Sequence, residues 1–207
     1  MDETAAPHRI KKRLLIPGIM IGTIVLLIIA AFIRGTWANS QPRDAASSSD
    51  GILTTLYQTP DGRKSVRCSR VFDEPIDRVW GVVTDYVHFA EIFPTLATAH
   101  IEKDPDGRFH FTGTAQQAVL GKWAFDIHIT HAESPSKKVA SWDEPGGDAT
   151  VNRGSWTLTP LGADKTLAVY TLDTEVRKVP AFIVRNALLS RQPLVVQAVV
   201  DRLNRKP

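Results

Sequence analysis

The stretch SVRCSRVFDEPIDRVWGVVTDY, Ser65 to Tyr86, changes its period halfway along. Ser65–Phe72 alternates in the manner of a half-buried strand. From Pro75 to Tyr86 the apolar residues Ile76, Val79, Trp80 and Val83 fall at i, i+3, i+4 and i+7, one face of a helix. Phe93 followed by Pro94 ends a second short helix, because proline disfavours helical backbone in the residue before it.

Toward the C-terminus, Arg108–His131 reads as a hairpin. Phe109 and Phe111 alternate with His110, Thr112 and Thr114. After a turn near Leu120–Gly121, Trp123, Phe125, Ile127 and Ile129 alternate with Lys122, Asp126, His128 and Thr130. Period two with one aromatic face predicts one buried side and one wet side. Val139–Trp142 is a shorter strand, closed by the turn cluster Glu144–Asp148. Ala149–Thr159 and Lys165–Val176 form a further hairpin around Pro160–Asp164. Pro180–Asn204 is a closing helix with Phe182, Asn186, Leu189, Val196, Val200 and Leu203 on one stripe. Pro193 shares that stripe and removes a backbone donor, so a kink or break into two jointed pieces is expected. The order predicts an α+β fold: a curved antiparallel sheet of about seven strands wrapped on a long C-terminal helix. A sheet covered by a single long helix commonly keeps a cavity.

Toward the N-terminus, Leu14–Ile33 is twenty residues without a charge, enough to span the roughly 30 Å of a bilayer core. Arg9, Lys11, Lys12 and Arg13 precede it and Arg34 alone follows closely, so the N-terminus is expected in the cytoplasm and the domain outside it. Trp37 stands where an interfacial aromatic would. Thr36 and Ala38 would also suit a cleaved signal peptide, but the apolar run exceeds the usual h-region, which favours an uncleaved anchor in the inner (cytoplasmic) membrane. Gly18 and Gly22 are a small-xxx-small pair through which two anchors could form a weak homodimer. The expected organisation is a basic tail over residues 1–13, a span over 14–33, a linker over 34–51 and the domain over 52–207. The linker is rich in small polar residues and would reach on the order of 25 Å as a flexible coil.

The net charge of +3 belongs to the leading segment. Residues 1–43 carry six basic and two acidic side chains, leaving 19 basic against 20 acidic in the remainder. Without a basic stripe, nucleic acid is not an expected partner. Cys68 is the single cysteine, so no intramolecular disulfide can form.

The run from Phe72 to Trp80, followed by Thr84-Asp85-Tyr86 and Phe93-Pro94, resembles the first strand and helices of the START-like (SRPBCC) helix-grip superfamily. Gly154-Ser155-Trp156-Thr157-Leu158-Thr159-Pro160 and Lys178–Val184 match the same pattern before the last hairpin and at the entry to the closing helix. The resemblance covers about Ser65 to Leu203 and is nearest the coenzyme Q-binding and polyketide cyclase/dehydrase branches. It implies a deep apolar pocket for a lipid, sterol, quinone or polyketide.

Candidate ligand-binding residues are Phe109, Phe111, Trp123, Phe125 and Trp142 on the sheet, and Phe182, Asn186 and Leu189 on the closing helix. Arg153 shares an alternation set with Val151 and Ser155, and Asp173 one with Leu167 and Val169. If those sets face inward they would anchor a headgroup; otherwise they are a cross-strand ion pair. No acid–base pair, nucleophile elbow or phosphate loop can be named, so no catalytic residue or cofactor is expected. His110 and His128 can approach across the hairpin with Asp126 on the same face, an arrangement that would suit a weak metal site. On a wet face such a group is more often solvated decoration, and no metal is assigned. The expected function is membrane-anchored binding or transfer of a hydrophobic small molecule. The alternatives are a cyclase/dehydrase-like enzyme and a ligand-free membrane-tethered scaffold.

Overall fold

The computed structural model describes residues 47–49, 51–93, 96–117, 121–143 and 146–205. The segments 1–13 and 14–33, with Gly18 and Gly22, lie outside these residues. Among the described residues no helix is long and apolar enough to cross a membrane.

The elements follow in the order β1 (Ser47–Ser49), β2 (Ile52–Gln58), β3 (Lys64–Phe72), α1 (Ile76–Val83), a 3-10 turn (Tyr86–His88), α2 (Phe89–Ile92), β4 (Leu96–Lys103), β5 (Phe109–Gln117), β6 (Gly121–Ser134), β7 (Lys137–Asp143), β8 (Ala149–Pro160), β9 (Thr166–Val176) and α3 (Ala181–Asn204). All nine strands join one antiparallel sheet in the order β1-β2-β3-β9-β8-β7-β6-β5-β4. Two strands exceed the expected count. β2 carries Ile52, Leu53, Leu56 and Tyr57 on both faces, so its alternation is hidden. β1 lies inside the segment read as a linker, where it pairs with Ile52–Thr54.

α1 buries Val79, Trp80 and Val83 and half-buries Ile76, the face its spacing predicts. Arg78, in the first turn of α1, holds Glu74 just ahead of the helix at 2.8 Å and donates to the Leu203 carbonyl at 3.0 Å. It thereby ties the start of the first helix to an open carbonyl at the end of the last. α3 packs on β2, β3 and β9 and against α1. It is one unbroken helix through Pro193, so the expected break into two pieces does not occur. Gln192 and Val196, on either side of that proline, are both buried, so tertiary packing supports the turn that lost a backbone donor.

In the hairpin β5–β6 the pairs are Phe109 with Ile129, Phe111 with Ile127, Gly113 with Phe125 and Ala115 with Trp123. That register puts the aromatic residues on one side. Gly113 and Gly154 have no side chain for a packing reason. A Cβ on Gly113 would meet the Phe125 ring at 2.8 Å and the Thr98 carbonyl at 2.2 Å. A Cβ on Gly154 would come within 2.4 Å of the Trp142 ring. Bare backbone at these two places makes room for large rings on the concave side.

Candidate functional site

Between the sheet and the helices lies a cavity of about 160 Å³. One water needs about 10–15 Å³ by the same measure, so this is far beyond a packing defect. Phe111, Trp123, Phe125, Trp142, Trp156 and Tyr170 form its sheet wall. The short helices close one end with Val83, Tyr86, Phe89 and Phe93, and α3 covers it with Leu188, Arg191, Gln192 and Val195.

Polar atoms on this wall are few and specifically placed. Trp142 Nε1 donates to Asn152 Oδ1 at 3.2 Å. Gln192 is 1% exposed; its Nε2 donates to the Leu172 carbonyl at 3.0 Å, and its Oε1 receives the Cys68 thiol at 3.9 Å. Burial pushes the Cys68 thiol above its ordinary value, against an opposing contact with Thr54. Trp123 Nε1 is buried with no hydrogen-bond partner among the described residues. Among the described residues, half-buried Arg191 has no carboxylate partner. A buried donor left unmatched costs about 1–3 kcal/mol, so an acceptor supplied from outside the chain would be favoured here.

At the rim, Tyr86 Oη and His131 Nε2 share a hydrogen bond of 2.6 Å. Burial raises the Tyr86 phenol, and burial is also the main cause that lowers the His131 imidazole. The pair therefore rests as a protonated phenol beside a neutral imidazole.

The sequence matches the family described as polyketide cyclase/dehydrase and lipid transport over residues 63–206. The chain belongs to that family. Its fold is that of the START-like (SRPBCC) superfamily. A STAR-related lipid transfer protein from Xanthomonas axonopodis superposes with a TM-score of 0.67 at 16% identity, over 77% of this chain and 97% of that one. Human StAR-related lipid transfer protein 5 gives 0.62 at 11%, over 87% and 98%. The Zhui aromatase/cyclase from Streptomyces sp. R1128 gives 0.52 at 18%, over 68% and 95%. At these identities the likeness is one of fold. No curated protein matches the sequence.

Of the ten residues proposed from sequence, the structure of this family member brings Phe111, Trp123, Phe125 and Trp142 together on the cavity wall. Phe109 faces the same side but packs beyond the cavity, against Tyr86 and His131 with ring centroids 5.2 and 4.8 Å apart. Phe182, Asn186 and Leu189 are not on the wall, and Phe182 is 57% exposed. The face of α3 that meets the sheet is instead Val184, Leu188, Gln192, Val196, Val199 and Leu203. Apolar residues surround this helix on every side, Leu194 and Phe182 being exposed, so spacing alone does not single out one stripe.

Arg153 and Asp173 are also corrected. Their alternation sets face away from the cavity, where they sit directly opposite each other across β8 and β9. Arg153 Nε donates to Asp173 Oδ2 at 3.0 Å, Arg63 reaches the same oxygen at 2.6 Å, and Asp61 contacts both guanidiniums. The Thr59 hydroxyl, followed by Arg153, lowers the Asp61 carboxyl to about 2. This network links the β2–β3 turn to β8 and β9 rather than binding a headgroup. The cavity residues missed in the sequence include Trp156, Tyr170, Tyr86, Arg191 and Gln192. The last two are polar residues in a helix, a pattern that ordinarily marks the solvent side.

Proposed function

We propose that the domain binds an apolar small molecule with an oxygen-bearing end, of the lipid, quinone or sterol kind. The segment Leu14–Ile33 would hold it at a membrane, and Gly18 and Gly22 would allow two anchors to meet. The observation that carries the reading is an aromatic cavity on whose wall Trp123 Nε1 and Arg191 have no acceptor among the described residues. Apolar walls supply affinity in such a site, and a few convergent polar groups set the orientation. The carbonyl or phosphate end of the ligand would lie toward Trp123 and Arg191, with its hydrocarbon among Phe111, Phe125 and Trp156.

The test is titration of the 43–207 domain with phospholipids, a long-chain quinone and a sterol, following tryptophan fluorescence. Three of its four tryptophans line the cavity. Saturable quenching that weakens in an Arg191→Ala variant is expected. Absence of binding to any of them, together with no lipid in an organic extract of the purified protein, would favour the ligand-free scaffold.

A second reading, cyclase/dehydrase-like chemistry, is favoured by the Tyr86–His131 pair. A phenol held protonated by burial can donate to a substrate carbonyl while the neutral imidazole keeps it oriented. Turnover of a conjugated polyketone that disappears in Tyr86→Phe, with ligand affinity retained, would establish it.

A further inference from the structure

On the sheet face turned away from the cavity, the register of three strands aligns histidines and carboxylates. Glu102 of β4 stands opposite His110 of β5, and His110 stands opposite His128 of β6. The two imidazoles stack, with centroids 4.5 Å apart and planes 9° from parallel. Carboxylates flank the stack on both sides. Asp126 contacts His110 Nε2 at 2.8 Å, and Asp104, just beyond the end of β4, contacts His128 Nε2 at 3.3 Å. One ligand atom each from Asp104, His110 and His128 lies within 4.8 Å of the others. All three residues are half-buried.

We propose that Asp104, His110 and His128 bind a divalent first-row transition ion of the Zn²⁺ type. Two imidazoles and one carboxylate are a borderline N/O donor set, which suits Zn²⁺ better than the all-oxygen surroundings that calcium and magnesium prefer. Three protein ligands leave a coordination position for water. Asp126 is placed to act as the outer carboxylate that orients a ligating histidine. The backbone ladder holds His110 and His128 side by side before any ion arrives, and a turn of the two stacked rings about their side-chain torsions would bring their nitrogens onto it. Asp104 belongs to the turn after the edge strand β4, and an ion would clamp that edge to β5 and β6. The clamped hairpin is the one whose other face carries Phe111, Trp123 and Phe125.

The test uses the full chain, freed of metal with a chelator and titrated with ZnCl₂ by calorimetry. One Zn²⁺ per chain is expected, with affinity falling about tenfold or more in His110→Gln and in His128→Gln, and also weakened in Asp104→Asn. His100→Gln, an exposed histidine on the same face, should leave affinity unchanged. The melting temperature without metal verifies that each variant is folded. An independent readout is the Cu²⁺ electron paramagnetic resonance spectrum, which should show two equivalent imidazole nitrogens in the wild type and one in either histidine variant. No heat up to about 1 mM Zn²⁺, where even weak linkage would register, would overturn the proposal. So would a Zn²⁺ affinity indifferent to His110 and His128, or a Cu²⁺ spectrum without imidazole nitrogen.

Discussion

At the scale of single residues, the indole N–H of Trp123 is the sharpest probe of what the cavity holds. Trp123→Phe removes a donor left unmet among the described residues, so stability should hold or rise by up to about 1 kcal/mol. Affinity for a carbonyl-bearing ligand should drop, and affinity for a plain hydrocarbon should not; paired melting and binding curves separate the two. Gln192→Leu is close to isosteric and removes the bond to Leu172, whose carbonyl keeps the Ser65 hydroxyl at 2.7 Å, together with the weak contact from the Cys68 thiol. A loss of about 1 kcal/mol is expected, whereas Asn186→Leu, off the wall, should leave affinity unchanged. His131 gives a pH signature. Burial holds its imidazole below the ordinary 6.5, so the unfolded chain takes up a proton before the folded one does. Its contribution to stability is complete above about pH 6.5 and is lost as the pH falls below it; His131→Gln should lack that step in denaturant midpoints measured between about pH 7.5 and 5. Trp123 was legible in the sequence because strict alternation aims it. Gln192 was not, since a buried amide is visible only once the carbonyl it meets is known.

At the scale of elements, legibility followed how cleanly each segment keeps its period. The β5–β6 hairpin repeats every second residue with Ala124 as the exception among its even positions, and its register matches that reading pair by pair. α3 has apolar residues all round, and its inward face was decided by contact with β2, β3 and β9 rather than by its own pattern. Truncations on its two sides should differ accordingly. Leu188→Ala should cost about 2–5 kcal/mol and enlarge the cavity, while Phe182→Ala should stay within about 0.5 kcal/mol. Chemical denaturation of the two variants decides it. Gly154→Ala probes β8 in a different way. The added methyl would collide with the Trp142 ring and the Thr171 carbonyl, so a destabilisation of about 1–3 kcal/mol with a changed Trp142 emission is expected.

At the scale of the whole molecule, the proposed placement of the domain outside the cytoplasm rests on charge asymmetry around Leu14–Ile33. Reporter fusions after Gly51 and after Pro207 should both read as external, and a cytoplasmic signal at either would reverse the orientation. A mature chain starting at Asn39 would replace the tether with a removed leader. For the proposed ligand, parting of the seam between α3 and the sheet would widen access to the cavity that α3 covers. Nature has left a stopwatch in that seam. Cys68 is the chain's only thiol, is 0% exposed, and lies behind Gln192 on the strand that α3 covers. A thiol reagent can reach it only in molecules whose seam is momentarily ajar, so its modification rate counts opening events without any added label. A bound guest that props the helix down should slow that count, and a membrane surface that draws the helix away should quicken it.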